Sequence, residues 1–291
     1  MLASLLAQRK TLLASLAVLV LTIAPTPKPS TQPSLLMFGP NAARVGTAGT
    51  SRNWSGYAAT RGTFTSVTGT WTVPQVSSNG HTAADATWVG IGGIKRNDLI
   101  QSGTQNIVSS SGQVTASAFF EILPHVSQPI AVTVRGGDSI TVSIAQQSTN
   151  QWQISFTDTT NGQTYSTTVS YASSLSSAEW IEEAPTDGRR ELPLDNFGSV
   201  QFSGGSTTEN GNAVTISQAN TQAITMVNLS RQPLATPSAL GSDGASFTVT
   251  RSSAVSTPPI PELDRYPWVW TRRGLVIISP RGLVIIHRFK R

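Results

Sequence analysis

Between residues 51 and 252 the chain alternates apolar and small polar residues with a period of two, in short runs divided by turn-forming residues. The runs GTFTSVTGTWTVP, TWVGIGG, DLIQSGTQNIVS, QVTASAFFEIL, IAVTVRGGDSITVSI, QWQISFTDTTNGQTYSTTVSY, VQFSG, AVTIS, AITMVN and ASFTVT each place β-branched or aromatic side chains on one face of an extended segment. RGGD at 135–138 and TTNGQ at 159–163 read as hairpin turns. No ten-residue stretch of this body carries a helical stripe. At least ten short strands in one domain predict an all-β fold, an antiparallel two-sheet β-sandwich, because a single open sheet of that size leaves one apolar face in water.

Two runs break the alternation in an informative way. Gln101 stands in DLIQSGT and Glu183 in AEWIEEAP, each at a position where strand packing favours an apolar side chain. Period two puts Glu179, Ile181 and Glu183 on one face of an extended segment and Trp180 and Glu182 on the other. Glu121, in SAFFEILPHV, shares a face with Phe119 and Leu123, and a partly desolvated carboxyl of this kind has a raised pKa suited to acid and base duty. Glu121, Glu179, Glu182 and Glu183 are the acid or base candidates, with Gln101 as a neutral donor.

The chain ends differ from this body. Residues 1–24 carry Arg9 and Lys10, then the apolar run TLLASLAVLVLTIA and a small residue, Ala24, before a proline-rich stretch. Fourteen apolar residues are short for a membrane span of about 20, so the segment reads as a signal peptide and predicts a secreted, extracellular protein without stable membrane insertion after cleavage. Residues 25–50 are rich in Pro, Ser, Thr, Gly and Ala and read as a linker or propeptide. Residues 253–291 form an atypical basic tail outside the expected 51–252 domain; it holds two copies of RGLVII, beginning at Arg273 and Arg281. Such a tail is either a surface-attachment device or an extension without a role in the fold.

Charge and composition then remove several functions. The formal charge of +5 belongs to the ends: residues 51–252 hold nine Lys and Arg against thirteen Asp and Glu, a net of 9 − 13 = −4. A body of that balance, with no basic stripe interleaved with aromatics, does not predict nucleic-acid binding. Zero cysteines exclude disulfides, thiol catalysis and cysteine metal sites, so stability must come from the core. His81 and His125 lack HExxH or other metal-ligand spacing and read as surface residues, and neither GxSxG nor DTG occurs. No cofactor or metal is expected. Only 12% of the chain is charged, which limits repulsion when carboxylates protonate and suits an acidic medium.

Seven motifs in order then carry a resemblance: NWSGYA (53–58), GTWTVP (69–74), WVGIGG (88–93), LIQSGT (99–104), FFEILPHV (119–126), GDSI (137–140) and AEWIEEAP (178–185). Together they resemble the glutamic peptidases, or eqolisins, over about residues 51–250. The resemblance implies a lectin-like jelly-roll sandwich and metal-free hydrolysis of peptide bonds at acidic pH by a Gln and Glu dyad. Carried over by motif, the dyad is Gln101 and Glu183, with Trp54, Trp88 and Glu121 lining the substrate cleft. Polypeptides are the implied substrates and a monomer the default state.

The sequence departs from the family pattern at Gly92, where an acidic residue is usual, and at Glu182, a second carboxyl beside the catalytic one. Two other classes compete. A carbohydrate-active jelly roll would use Glu121 and Glu183 as paired carboxyls about 5 to 9 Å apart, and a binding module of the same fold would need neither group.

Overall fold

The computed structural model describes residues 49–78, 80–186 and 191–252, with the backbone of three further short strands between residues 268 and 285. The expected signal peptide, residues 25–48 of the expected linker and most of the tail lie outside the described residues.

The alternating runs form strands, and no helix occurs among the described residues. In chain order they are β1 (Thr50–Ser51), β2 (Trp54–Ala59), β3 (Phe64–Thr72), β4 (Ala83–Gly92), β5 (Leu99–Val108), β6 (Val114–Ile122), β7 (Gln128–Ile130), β8 (Ser139–Ser148), β9 (Gln151–Asp158), β10 (Thr164–Ser170), β11 (Ala178–Glu183), β12 (Ser199–Glu209), β13 (Asn212–Thr215), β14 (Gln222–Val227), β15 (Pro233–Pro237) and β16 (Phe247–Arg251). One sheet has the order β14-β2-β11-β4-β5-β6-β7 and the other β10-β9-β8-β3-β12-β16-β15-β14. Strand β14 belongs to both, pairing with β2 on one side and β15 on the other. All pairs in these sheets are antiparallel except β1 with β14.

The sheets close over a shared apolar core. Tyr57, Val89, Ile91, Ile100 and Trp180 of the first sheet meet Phe64, Val67, Trp71, Ile140, Val142, Trp152 and Phe202 of the second. A buried indole keeps its N–H satisfied, and here two of them pin the layers together: Trp71 Nε1 donates to Thr104 Oγ1 at 2.9 Å, and Trp180 Nε1 donates to the Thr68 carbonyl at 2.8 Å. The expected all-β, two-sheet architecture is therefore present.

The two sheets differ in a way that positions the site. Strands β8 and β9 alternate buried and half-exposed residues, as a sheet with one wet face should. Strands β2, β4 and β11 are buried at every position. The first sheet thus has a second sealed face, where Trp54, Ala58, Ala86, Trp88, Leu99, Phe119, Leu123, Ile181 and Ile224 pack.

Of the two expected hairpin turns, TTNGQ joins β9 to β10 as antiparallel neighbours. RGGD does not form a hairpin. The strand before it, β7, pairs with β6 in the first sheet, whereas β8 lies in the second, so residues 131–138 cross between layers. The Gly137 N–H donates to the Val73 carbonyl and the Val73 N–H to the Asp138 carbonyl, both at 2.8 Å, which aims the chain into β8 alongside β3. Strand β15 was not legible in the alternation, since it begins and ends in proline.

In the tail the described backbone forms β17 (Trp268–Thr271), β18 (Gly274–Ser279) and β19 (Gly282–Ile285), an antiparallel three-stranded sheet. The two RGLVII copies pair with each other, with Ile277 opposite Val284.

Candidate active site

Strand β4 organises the sealed face. Its alternate residues Ala86, Trp88 and Gly90 share that face. Register sets Glu183 beside Ala86, Ile181 and Gly103 beside Trp88, and Glu179 and Gln101 beside Gly90. Glu121 lies opposite Gln101, and Trp54 opposite Glu183. All five residues carried over from the motifs, Gln101, Glu183, Trp54, Trp88 and Glu121, therefore come to one face, and each is fully buried. Gln101 and Glu183 sit four β4 positions apart, with Trp88 between their rows.

Glycine makes room for that indole. A Cβ at Gly103 would lie 2.6 Å from Trp88 Cβ and would collide with the Thr87 carbonyl, so only glycine lets β5 pass so close to the root of Trp88. The Trp88 ring meets Trp54 edge to face, with centroids 4.9 Å apart and planes at 77°.

The Glu183 carboxyl is held at both oxygens. Trp88 Nε1 donates to Oε2 at 2.8 Å and Asn53 Nδ2 donates to Oε1 at 2.9 Å. The Trp54 indole N–H also favours the charged form from nearby, without hydrogen-bond geometry to it. Burial dominates these contacts and pushes the carboxyl up to about 8. Gln101 Nε2 donates to Glu121 Oε2 at 2.6 Å, while Gln101 Oε1 is buried without a hydrogen-bond partner. An amide nitrogen has two hydrogens, so this bond spends one donor and leaves the other.

Glu182 lies on the opposite face, as alternation requires. No bulge interrupts β11, whose register with β2 and β4 is continuous. Thr87 Oγ1 donates to Glu182 Oε2 at 2.7 Å. Around it lies a carboxyl cluster that the sequence did not reveal. Asp85 accepts from Asn106 Nδ2 at 3.0 and 3.2 Å, and Asp195 lies near enough for its charge and that of Asp85 to act on each other, with both Asp195 oxygens buried and without a hydrogen-bond partner. Burial first, and then mutual repulsion for Glu182 and Asp195, raises all three carboxyls well above their ordinary range. Arg251 tempers Asp195 only through space; its guanidinium bonds go to backbone carbonyls, including those of Asp195, Leu234 and Ser252.

Glu179, on the face of Glu183, is also buried and also raised, first by desolvation; Ser177 lies near it without hydrogen-bond geometry. At Gly92, where the family pattern has an acid, φ is +93° and Asp98 Oδ2 lies 3.3 Å from where a Cβ would stand. The β4–β5 connection thus brings a carboxylate to the neighbourhood of position 92. It is held there by Ser174 N at 2.5 Å and Ser174 Oγ at 3.1 Å.

His81 and His125 are exposed, as expected. Among the described residues no group of three or more His, Cys, Asp or Glu is placed to hold a metal ion. Sequence reasoning did not single out Asn53, although NWSGYA contains it; its signal is an amide directly before a strand whose first residue faces Glu183.

Carboxyl, amide and tryptophan side chains thus share one buried sheet face of a two-layer antiparallel sandwich. The Peptidase A4 family profile matches residues 52–251. Aspergillopepsin-2 of Aspergillus niger is 27% identical over 198 residues, 60% of this chain and 70% of that protein. Scytalidopepsin B of Scytalidium lignicola is 31% identical over 193 residues, 62% of this chain and 71% of that protein. Scytalido-glutamic peptidase, solved with a transition state analog inhibitor, superposes with a TM-score of 0.60 at 27% identity, covering 69% of this chain and 98% of that one. The aspergilloglutamic peptidase from Aspergillus niger gives a TM-score of 0.52 at 27% identity, covering 58% of this chain and 99% of that one. The chain belongs to the Peptidase A4 family of glutamic endopeptidases, the eqolisins.

Proposed function

We propose that the protein is a secreted acid endopeptidase in which Glu183 and Gln101 form the catalytic dyad and Trp54, Trp88 and Glu121 line the substrate cleft. Family membership supplies the reaction class. The observation that carries the assignment is the Glu183 carboxyl, whose two oxygens accept from Trp88 and Asn53 on the face that also presents the Gln101 amide.

The chemistry follows from those groups. Glu183, ionised, takes a proton from a water, and the resulting hydroxide attacks the scissile carbonyl. The free N–H of Gln101 donates to the oxyanion that develops on the carbonyl oxygen. Glu183, now protonated, returns its proton to the departing amine as the C–N bond breaks, which regenerates the carboxylate. Water admitted with the peptide removes part of the desolvation that holds Glu183 at about 8. The two N–H donors then draw the carboxyl back toward the ordinary value of about 4.3, which favours operation in acid. Polypeptides are the substrates, no metal or cofactor takes part, and the enzyme works as a monomer outside the cell.

Cleavage of a denatured protein by the purified chain, followed from about pH 2 to about pH 7 beside Glu183→Gln, tests this reading. Cleavage confined to acid, indifferent to chelators and lost in the variant, is the expected result. Near-normal cleavage by Glu183→Gln would remove Glu183 from the mechanism.

A further inference from the structure

We infer that Asn53, oriented by the hydroxyl of Ser51, is a positioning residue that sets the orientation and proton affinity of Glu183. This rests on the reading of Glu183 as general base. Ser51 and Asn53 lie at the turn between β1 and β2, 3% and 4% exposed, and so in surroundings where an unpaired polar atom is costly.

The hydrogen bonds around them run in one direction. Ser51 Oγ accepts from the backbone N–H groups of Asn53 at 3.4 Å and Trp54 at 3.2 Å, which engages its lone pairs. Its single hydrogen is left for Asn53 Oδ1, 3.3 Å away. With Oδ1 turned to Ser51, the other end of the amide, Nδ2, must face Glu183, and it donates to Oε1 at 2.9 Å. The flipped amide would set a carbonyl oxygen against a carboxylate. The backbone adds a clamp independent of the side chain, since the Ala184 N–H donates to the Asn53 carbonyl at 2.8 Å and ties the end of β11 to this turn.

The consequence lies in the character of the partners. The indole N–H of Trp88 and the amide NH2 of Asn53 donate and cannot accept. Each therefore stabilises ionised Glu183 and occupies one lone pair on one oxygen. A proton arriving on Glu183 cannot settle on either of those lone pairs while the bonds persist. It must sit on one of the remaining pairs, which are free for the reacting water and the leaving amine. Asn53 thus favours the base form before attack and keeps the acquired proton available afterwards.

The test is the acidic limb of kcat/KM against pH, measured on the full chain for the wild type, Asn53→Ala, Asn53→Asp, Ser51→Ala and Glu183→Gln, with thermal unfolding of each. Loss of the donor raises the pKa of Glu183, so Asn53→Ala should move the acidic limb upward by about one pH unit. Its kcat should fall about tenfold with KM little changed. Asn53→Asp, which sets a second carboxyl against the first, should move the limb further. Ser51→Ala leaves the contact to Glu183 in place but frees the amide to flip, and should shift the limb in the same direction by less; it carries the test if Asn53→Ala does not fold. Reduced kcat/KM with an unmoved limb in both Asn53→Ala and Ser51→Ala, while Glu183→Gln is inactive, would overturn this inference alone. An active Glu183→Gln would overturn the general-base reading and this inference with it.

Discussion

Glu182 and Glu183 are adjacent in the chain and face opposite sides of one sheet: Glu182 accepts from the Thr87 hydroxyl at 2.7 Å on the core side, and Glu183 from the Trp88 indole at 2.8 Å on the other. Thr87 and Trp88 are themselves neighbours on β4. The pleat therefore sorts two consecutive carboxyls onto two consecutive donors, and it assigns them different work.

Glu183→Gln and Glu182→Gln should separate accordingly. The first should lower cleavage in acid by about 10² to 10⁴, since it removes a general base and acid. The second should leave cleavage within about threefold, because an amide there can still pair with Thr87 and lies on the far side of the sheet. Initial rates on one peptide at a single acidic pH decide it. Equal losses would place both carboxyls in the mechanism.

Gln101→Ala should lower kcat by about 10² to 10³ with a smaller change in KM, the pattern expected when a donor to the oxyanion is removed. Steady-state kinetics give the split. A loss confined to KM would make Gln101 a substrate-binding residue.

Stability should fall as pH rises. Unfolded aspartate and glutamate titrate at about 3.9 and 4.3, whereas burial holds Asp85, Asp195 and Glu182 higher in the fold, Asp85 at about 7. The folded chain then binds more protons than the unfolded one above about pH 4. The stability contributed by these neutral carboxyls is complete below the unfolded values and is lost as pH climbs through the folded ones. Melting temperatures measured from about pH 3 to about pH 7 should decline across the series, and Asp195→Asn should flatten the slope. A rising melting temperature over that interval is the contrary result.

Gly103→Ala should destabilise the fold by about 2 to 4 kcal/mol and disturb the site as well, because the added methyl meets the backbone of Thr87 and Trp88 rather than a yielding side chain. Thermal unfolding and intrinsic tryptophan fluorescence measured together test both effects. An unchanged melting point would mean that β5 can move away from β4 at little cost.

Much of this was open to inspection in the chain, because alternation is a local property. It predicted the all-β class and most of the strands, and it put Glu179 and Glu183 on one face with Glu182 on the other. It erred at RGGD, since a turn signal states that the chain reverses but not which strand receives it. Here β8 joins β3 in the other sheet, and the backbone of Val73 decides that. The Asp85 and Asp195 cluster was illegible because the two residues are far apart in sequence and neither breaks a pattern of its own.

The sequence by itself determined the extended backbone, the facing of each side chain within its strand and the ordered motifs that mark the family, since each depends only on near neighbours along the chain. Register and layer packing decided the rest. They placed Asn53 against Glu183 across 130 positions and sealed both faces of β2, β4 and β11. They also gathered three carboxyls within one core. Period two fixes which way a side chain points, whereas its partner depends on which distant strand lies alongside and at what offset, and that is settled only when the two sheets close on each other.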